Sequence, residues 1–403
     1  MALFADPVHD EFAGWALGFA PYGGGDIGEV RAIAGEVKPG DDDSFATAFS
    51  TMAQRRIDEG DSALALGHRE TAHDCYLRAS CFLGVAYHVL YGTPVDPRLV
   101  ELFQLQMATF EKALMLLDPP AEKVDVPYEG TRIPAYFLRA AGDRGSRRPV
   151  VLVGGGWDSA MAENHLGFGA AALRRGYHVL LFDGPGQGKL LIEEGLPLRH
   201  DWEKVITAVI DAAVGIEGIN PDRIAFYDWS LGGYLAPRAA AFEHRIAAMV
   251  ADPGQIDVGG KFTGMLRMMG LNDQALAKLP ELDADDEQRV MTIINSDRSL
   301  RWKIVQRGFW TNNATDMSSY MAEMAKWKLD ADQVAAIRCP TLITAAESDL
   351  ASSNAQELFD ALKCPKYFIR FTDADGAGDH CEFFNRSMAN RKILDWLDDT
   401  LAA

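Results

Sequence analysis

The chain has 403 residues, with 39 Lys and Arg against 58 Asp and Glu, for a net charge of −19 and an apolar share of 48%. An acidic balance without any block of Lys or Arg argues against nucleic acid or an anionic membrane as partner, and no run of about 18 apolar residues is present to cross a bilayer. Five scattered cysteines (Cys75, Cys81, Cys339, Cys364, Cys381) lack CxxC spacing, and the segment after Met1 lacks a basic region followed by an apolar core. Reduced thiols and a cytoplasmic location are the expectation, with no disulfide framework and no zinc site.

Residues 1–118 read as helical. Ala72, Cys75, Ala79, Phe82, Ala86 and Val89 recur at steps of three and four, which predicts one helix over 62–91. A second helix is predicted over 97–117. Pro119-Pro120 ends the pattern and closes a helical N-terminal region at 1–122. His68 and His73 are five apart and face different sides of a helix. Without i, i+4 His spacing or an HExxH pattern, no metal site is expected.

From Lys123 the period changes. Strands are predicted at 124–128, 133–138, 148–153, 177–182, 247–251, 341–346 and 366–371, with a further run from Arg223 to Trp229. Helices at 166–175, 202–214, 355–362 and 387–401 alternate with them, and a helical insertion occupies about 254–336. The alternation implies an α/β protein, its mostly parallel sheet covered on both faces. Reactive groups in such sheets lie at the carboxyl ends of strands. Two Gly-rich stretches end strands there. Gly184-Pro185-Gly186-Gln187-Gly188-Lys189 has Asp183 and Leu190 where a phosphate loop needs Gly and Ser or Thr. Gly154-Gly155-Gly156 lacks the third Gly of a dinucleotide fingerprint, since position 159 is Ser. No nucleotide or other cofactor is expected, and the second stretch reads as a turn presenting N–H groups to an oxyanion.

The run ending at Trp229 passes into Ser230-Leu231-Gly232-Gly233-Tyr234 and an Ala-rich helix. That layout is a nucleophile elbow, with Ser230 exposed on a sharp strand-to-helix turn. By itself the stretch fits equally a strand end with Ser230 capping a helix. Asp228 stands where the G-x-S-x-G pattern has Gly. A hydroxyl nucleophile needs a base, and the base needs an acid to orient it. In this topology the order is Ser, Asp or Glu, His. Of nine His only His380 follows the strand at 341–346; Asp349 follows that strand directly, with Glu347 as second choice in the same loop. The N–H groups of Leu231 and Trp157 are the expected oxyanion donors. Asp158 and Glu163, near that turn, are candidates to contact substrate hydroxyls, though Asp158 equally suits bonding to its own turn. Asp228 and Trp229 complete the candidate substrate contacts. An ionised Asp228 close to His380 would raise the pKa of the imidazole; a buried, protonated one would matter structurally. A tolerated substitution with a modest rate cost is the preferred reading.

These residues carry a resemblance. From about 124 onward the chain resembles α/β-hydrolases, more narrowly the branch containing 2,6-dihydroxypseudooxynicotine hydrolase and the fungal polyketide-shortening hydrolases of pigment pathways. It rests on Gly155-Gly156-Trp157-Asp158-Ser159, the Asp183–Gly188 loop, Ser230–Tyr234 with Ala236–Glu243, Cys339-Pro340-Thr341, and Gly376–Glu382. The resemblance implies an α/β-hydrolase fold, an N-terminal helical cap that helps cover the site, cleavage of carbon–carbon bonds beside ketones, and a homodimer. The Met- and Trp-rich insertion (Met265, Met268, Met269, Trp302, Trp310, Met317, Trp327 among others) suits a lid over an apolar or aromatic small molecule. Each of these residues is by itself better explained by packing. The expected reaction is attack by Ser230 on a polyketide-like or aromatic 1,3-dicarbonyl, with His380 as base and Asp349 as its orienter. A carboxylesterase or thioesterase, a non-hydrolytic lyase or cyclase, and a non-catalytic binding protein on the same scaffold are the alternatives.

Overall fold

The computed structural model describes residues 2–142 and 147–402. Five helices come first: α1 (Pro7–Gly18), α2 (Ile27–Ala34), α3 (Asp42–Ala65), α4 (Arg69–His88) and α5 (Pro97–Leu114). The single helix predicted over 62–91 is in fact the end of α3 and all of α4. Gly67 takes φ 80°, and the amides of Gly67 and His68 turn back to Leu64 O and Ala63 O. This is a Schellman closure, which only a residue at ease in the left-handed region completes cheaply; the apolar period from Ala72 onward belongs to α4 alone.

The core follows as β1 (Glu122–Tyr128), β2 (Thr131–Leu138), β3 (Arg148–Val153), α6 (Met161–Asn164), a π-helical turn (His165–Gly169), α7 (Ala170–Arg175), β4 (His178–Phe182), α8 (Gly188–Ile192), α9 (Glu203–Ala213), β5 (Ile219–Trp229), α10 (Gly232–Ala240) and β6 (Ile246–Asp252). The insertion holds α11 (Val258–Met268), α12 (Asp273–Leu276), α13 (Ala284–Ser296), α14 (Arg298–Arg301), a π-helical turn (Trp302–Phe309), α15 (Met317–Met324) and α16 (Ala331–Ala336). The chain ends with β7 (Thr341–Ala346), α17 (Ala355–Ala361), β8 (Lys366–Phe371) and α18 (Arg386–Ala402). Aspartates cap α1, α3, α5, α11, α13, α15 and α16 through Asp6, Asp41, Asp96, Asp257, Asp283, Asp316 and Asp330. Part of the acidic excess therefore satisfies helix N-termini, where negative charge is favourable.

Eight strands lie in the order β1-β2-β4-β3-β5-β6-β7-β8. Only β2 runs antiparallel to its neighbours; all other adjacent pairs are parallel. Side chains alternate between two cores, as the two-residue period of strands demands. Val151, Val153, Ala225 and Tyr227 join the core that α1–α5 and α18 share. Val150, Leu152, Ile224 and Phe226 join the other, with α9, α10 and most of the insertion. The Met and aromatic residues of the insertion mostly pack: Met317, Tyr320, Met321, Met324 and Trp327 lie in this second core, while Met268 is 82% exposed. Trp302 instead crosses to the first core, against Phe12 and Tyr91. Insertion and N-terminal helices thus meet above the carboxyl end of the sheet.

Candidate active site

β5 delivers Ser230 at the carboxyl end of the sheet, with φ 59°. A side chain-bearing residue occupies the left-handed region only when its surroundings impose it. Here Ser230 N donates to Asp252 O at 2.7 Å at the end of β6, and Gly233 N donates to Ser230 O at 3.0 Å. Space is the second requirement. A Cβ on Gly156 would come within 3.0 Å of Ser230 Oγ, so the Gly-rich turn after β3 lies directly against the hydroxyl.

His380 reaches Ser230 from the loop after β8, its Nε2 3.0 Å from Oγ. Its Nδ1 lies 2.9 Å from Asp349 Oδ1, in the loop after β7. The carboxylate can only accept, so the ring proton belongs on Nδ1 and Nε2 is free to take the serine proton. Asp349 Oδ1 also accepts Ala351 N at 2.9 Å. The His380 side chain is 45% exposed and that of Asp349 only 5%, so a substrate can reach the imidazole but not its carboxylate. Burial works against the imidazolium, but the charge and hydrogen bond of Asp349, with help from Asp158, outweigh it and raise His380 above its ordinary value. Burial likewise opposes the Asp349 carboxylate, and the neighbouring His380 holds its pKa below the usual range. Glu347 is elsewhere, accepting Asp373 N at 3.0 Å.

Among the described residues no hydrogen bond engages the amides of Trp157 or Leu231. Their turn is held from several sides. Gln187 of the Asp183–Gly188 loop accepts Gly184 N at 3.0 Å and donates to Gly155 O and, at 2.8 Å, to Gly156 O. From α4 and beyond, His88 Nε2 and Tyr91 OH donate to Asp158 O at 2.8 and 3.2 Å. Trp157 Nε1 donates to Thr311 Oγ1 of the insertion at 2.8 Å.

The four residues read as substrate contacts sit differently from that expectation. Glu163 is buried, accepting Gln106 Nε2 at 2.6 Å and Ala160 N at 3.0 Å, one on each oxygen. It ties α5 to α6 from a buried position, with both oxygens engaged within the protein. Trp229 donates from Nε1 to Asn164 Oδ1 at 2.9 Å and packs edge-on against Gly167, a buried wall rather than a contact surface. Asp228 has no exposure: Oδ1 accepts Trp229 N at 3.0 Å, and Oδ2 has no partner. Its carboxyl is wedged under the elbow, where a Cβ on Gly232 would collide with it. Burial pushes its pKa well above the ordinary value and so favours the neutral form. Asp158 gives Oδ2 to Arg307 Nη1 at 3.0 Å; burial opposes its charge, and Arg307 holds its pKa down.

Other residues here escaped sequence reading. Gln255 Nε2 donates to Ser230 O at 2.6 Å, and Lys261 Nζ donates to Gln255 Oε1 and Ala351 O at 2.8 and 2.5 Å. Burial lowers the Lys261 ammonium to about 8 against the pull of Asp349 and Asp257. Behind His380, Arg386 donates through Nη1 to Asp252 Oδ2 at 3.1 Å and Cys381 O at 2.5 Å, and through Nη2 to Tyr227 OH at 2.8 Å. Cys381 and Glu382, next to His380, take φ 53° and 49°. The only signals were a charge at a strand end and an Arg opening the last helix, both common on any surface.

Comparison with known proteins gives the following. The sequence profile of the alpha/beta hydrolase family matches residues 150–392. Hydrolase LUC6 of a Fusarium species is 33% identical over 402 residues, covering 95% of this chain and 94% of that protein. The 20-hydroxy-prefusarin hydrolase FUS2 of Gibberella moniliformis is 30% identical over 402 residues, covering 96% and 94%. The crystal structure of 2,6-dihydroxy-pseudo-oxynicotine hydrolase matches with a TM-score of 0.73 at 22% identity over 95% of both chains, a likeness of fold.

Proposed function

The chain belongs to the alpha/beta hydrolase family, as a relative of the fungal hydrolases LUC6 and FUS2, and from that premise we propose that it cleaves a carbon–carbon bond of a polyketide-like or aromatic 1,3-dicarbonyl compound through Ser230, His380 and Asp349. The hydrogen-bond chain from Ser230 Oγ through His380 to Asp349 carries the reading. His380 takes the hydroxyl proton as Oγ attacks a carbonyl carbon, and the amides of Trp157 and Leu231 receive the oxyanion. Collapse of the tetrahedral adduct breaks the bond to the central carbon, whose electron pair leaves as an enolate spread over the second carbonyl. The imidazolium, whose formation Asp349 favours, protonates it. Water, activated by His380, then attacks the acyl group on Ser230 and frees the acid.

Residues 1–122 act as a cap and 254–336 as a lid in this reading. Support comes from Trp302 Nε1 and Gln306 Nε2, which donate to His88 O and Tyr91 O at 2.8 and 3.0 Å beside the Trp157 turn. The test is turnover of benzoylacetone in water labelled with heavy oxygen. The expected products are a ketone and a carboxylic acid in equal amounts, the acid labelled, with both lost in Ser230→Ala. Hydrolysis of esters alone would move the reading to a carboxylesterase, and an isomerised product without label to a lyase or cyclase. No turnover and no labelling of Ser230 by a fluorophosphonate would overturn it.

A further inference from the structure

Arg307 stands in the π-helical turn Trp302–Phe309 of the insertion, a local widening often found at functional sites. Its guanidinium lies over the rings of Trp157 and Trp302, 4.8 and 5.2 Å from their centroids. Both indoles thus present a ring to the cation, which leaves its N–H groups to polar partners. One edge is taken by Asp158 Oδ2, 3.0 Å from Nη1. Among the described residues no hydrogen bond engages Nη2, and Nε is buried without a partner. A buried guanidinium N–H left unpaired is costly, and native proteins rarely leave one without a purpose. The place also matters. Trp157 offers its amide to the proposed oxyanion, and the field of Asp158 reaches His380.

We propose that the Nε–Nη2 edge of Arg307 is a two-pronged receptor for a delocalised oxyanion on the ligand: an enolised 1,3-dicarbonyl, or the carboxylate formed from it. Two oxygens sharing one charge match the fork of a guanidinium, each accepting one N–H. The protein's net charge of −19 repels such anions at long range, and Arg307 supplies the local cation that admits them. Asp158 holds and orients the guanidinium and is not itself a substrate contact. The inference deepens the proposed function and rests on it for the identity of the substrate, but its test needs no turnover.

Binding is measured by calorimetry and tryptophan fluorescence on the Ser230→Ala protein, so failure of the serine reading leaves the result intact. The probes are 1,1,1-trifluoropentane-2,4-dione, whose open-chain enolate forms at mildly alkaline pH and can turn both oxygens the same way, and benzoate, with pentan-2-one and benzamide as neutral counterparts. Both anions should bind more tightly than their counterparts, and added salt should narrow the gap. Arg307→Gln should weaken the anions by about tenfold or more, as expected for loss of a charged hydrogen-bonding partner. Arg307→Lys, a point charge without the fork, should fall between. A stronger hold on the dione assigns the edge to the substrate enolate; a stronger hold on benzoate assigns it to the acid product. No preference for anions in the parent protein would overturn the proposal, as would equal losses for charged and neutral probes in Arg307→Gln at an unchanged melting temperature.

Discussion

Two aspartates without exposure lie at or near the ends of adjacent strands beside Ser230, and their surroundings are opposite. Asp252, at the end of β6, accepts Thr344 Oγ1 at 2.7 Å, Tyr227 OH at 2.8 Å and Arg386 Nη1 at 3.1 Å. Asp228, one residue short of the end of β5, accepts a single backbone N–H and leaves Oδ2 bare. The first has a cation and two hydroxyls around it; the second fills space under a turn, where burial favours its neutral form. Burial alone therefore says little about what a carboxylate does. Its partners decide, because an unpaired charge in the interior costs several kcal/mol and the group keeps its proton instead. The partnered side of Ser230 is also the side from which His380 comes.

That contrast breaks first if function does not lie on the His380 side. Ser230→Ala is expected to lower kcat by about 10³-fold or more, and His380→Ala added to it to cost little further, since such groups act as a unit. Asp349→Asn should cost a similar factor. It should also move the acid limb of kcat/KM to lower pH, because Asp349 is what raises His380 and without it the imidazole sheds its proton sooner. A limb that stayed in place would remove Asp349 from the assignment.

Next in size is Arg386. Arg386→Met leaves Asp252 buried without its cation and should cost about 3–5 kcal/mol in urea unfolding. The loop after His380 should loosen with it, since Cys381 O is held by the same guanidinium. A loss below about 1 kcal/mol, in the range of ordinary surface changes, would mean that the network contributes no more than packing.

The smallest effect belongs to Asp228. Its folded pKa is raised, so the stability it contributes is complete below the carboxylate range and is lost as pH rises through the folded value. Asp228→Asn cannot ionise and should gain on the parent as pH rises, by at most about 1.4 kcal/mol per pH unit. Thermal unfolding of both proteins between mildly acidic and mildly alkaline pH reads this difference. The pH profile of kcat/KM should not move. A shift of its acid limb would show Asp228 ionised and felt by His380, the reading that its burial disfavours.

Much of the architecture was legible because it is written locally. The strand and helix periods, the Gly-rich ends of β3 and β4 and the order Ser230, Asp349, His380 are properties of short stretches and of chain order. The elbow, too, was readable from Ser230 and Gly232, although Asp228 broke its pattern. The break at Gly67 was missed because the periodic residues all lie beyond it, from Ala72 onward, and the predicted helix was extended back over Gly67 without their support. Glu163 and Trp229 were read as substrate contacts from their place beside the turn, whereas Gln106 and Asn164 take up their polar atoms.

The sequence by itself determined the class of fold and which residue types stand at the strand ends, since both follow from local periodicity and chain topology. Only the tertiary structure decided the burial of Asp228 away from any cation, the partner of Asp158 and the hold on the loop of His380. Arg307 is 149 residues from Asp158, and Arg386 is 134 from Asp252. Partners that far apart are chosen by packing. In a dry interior it is the partner, more than the residue type, that sets whether a side chain is charged, held or free.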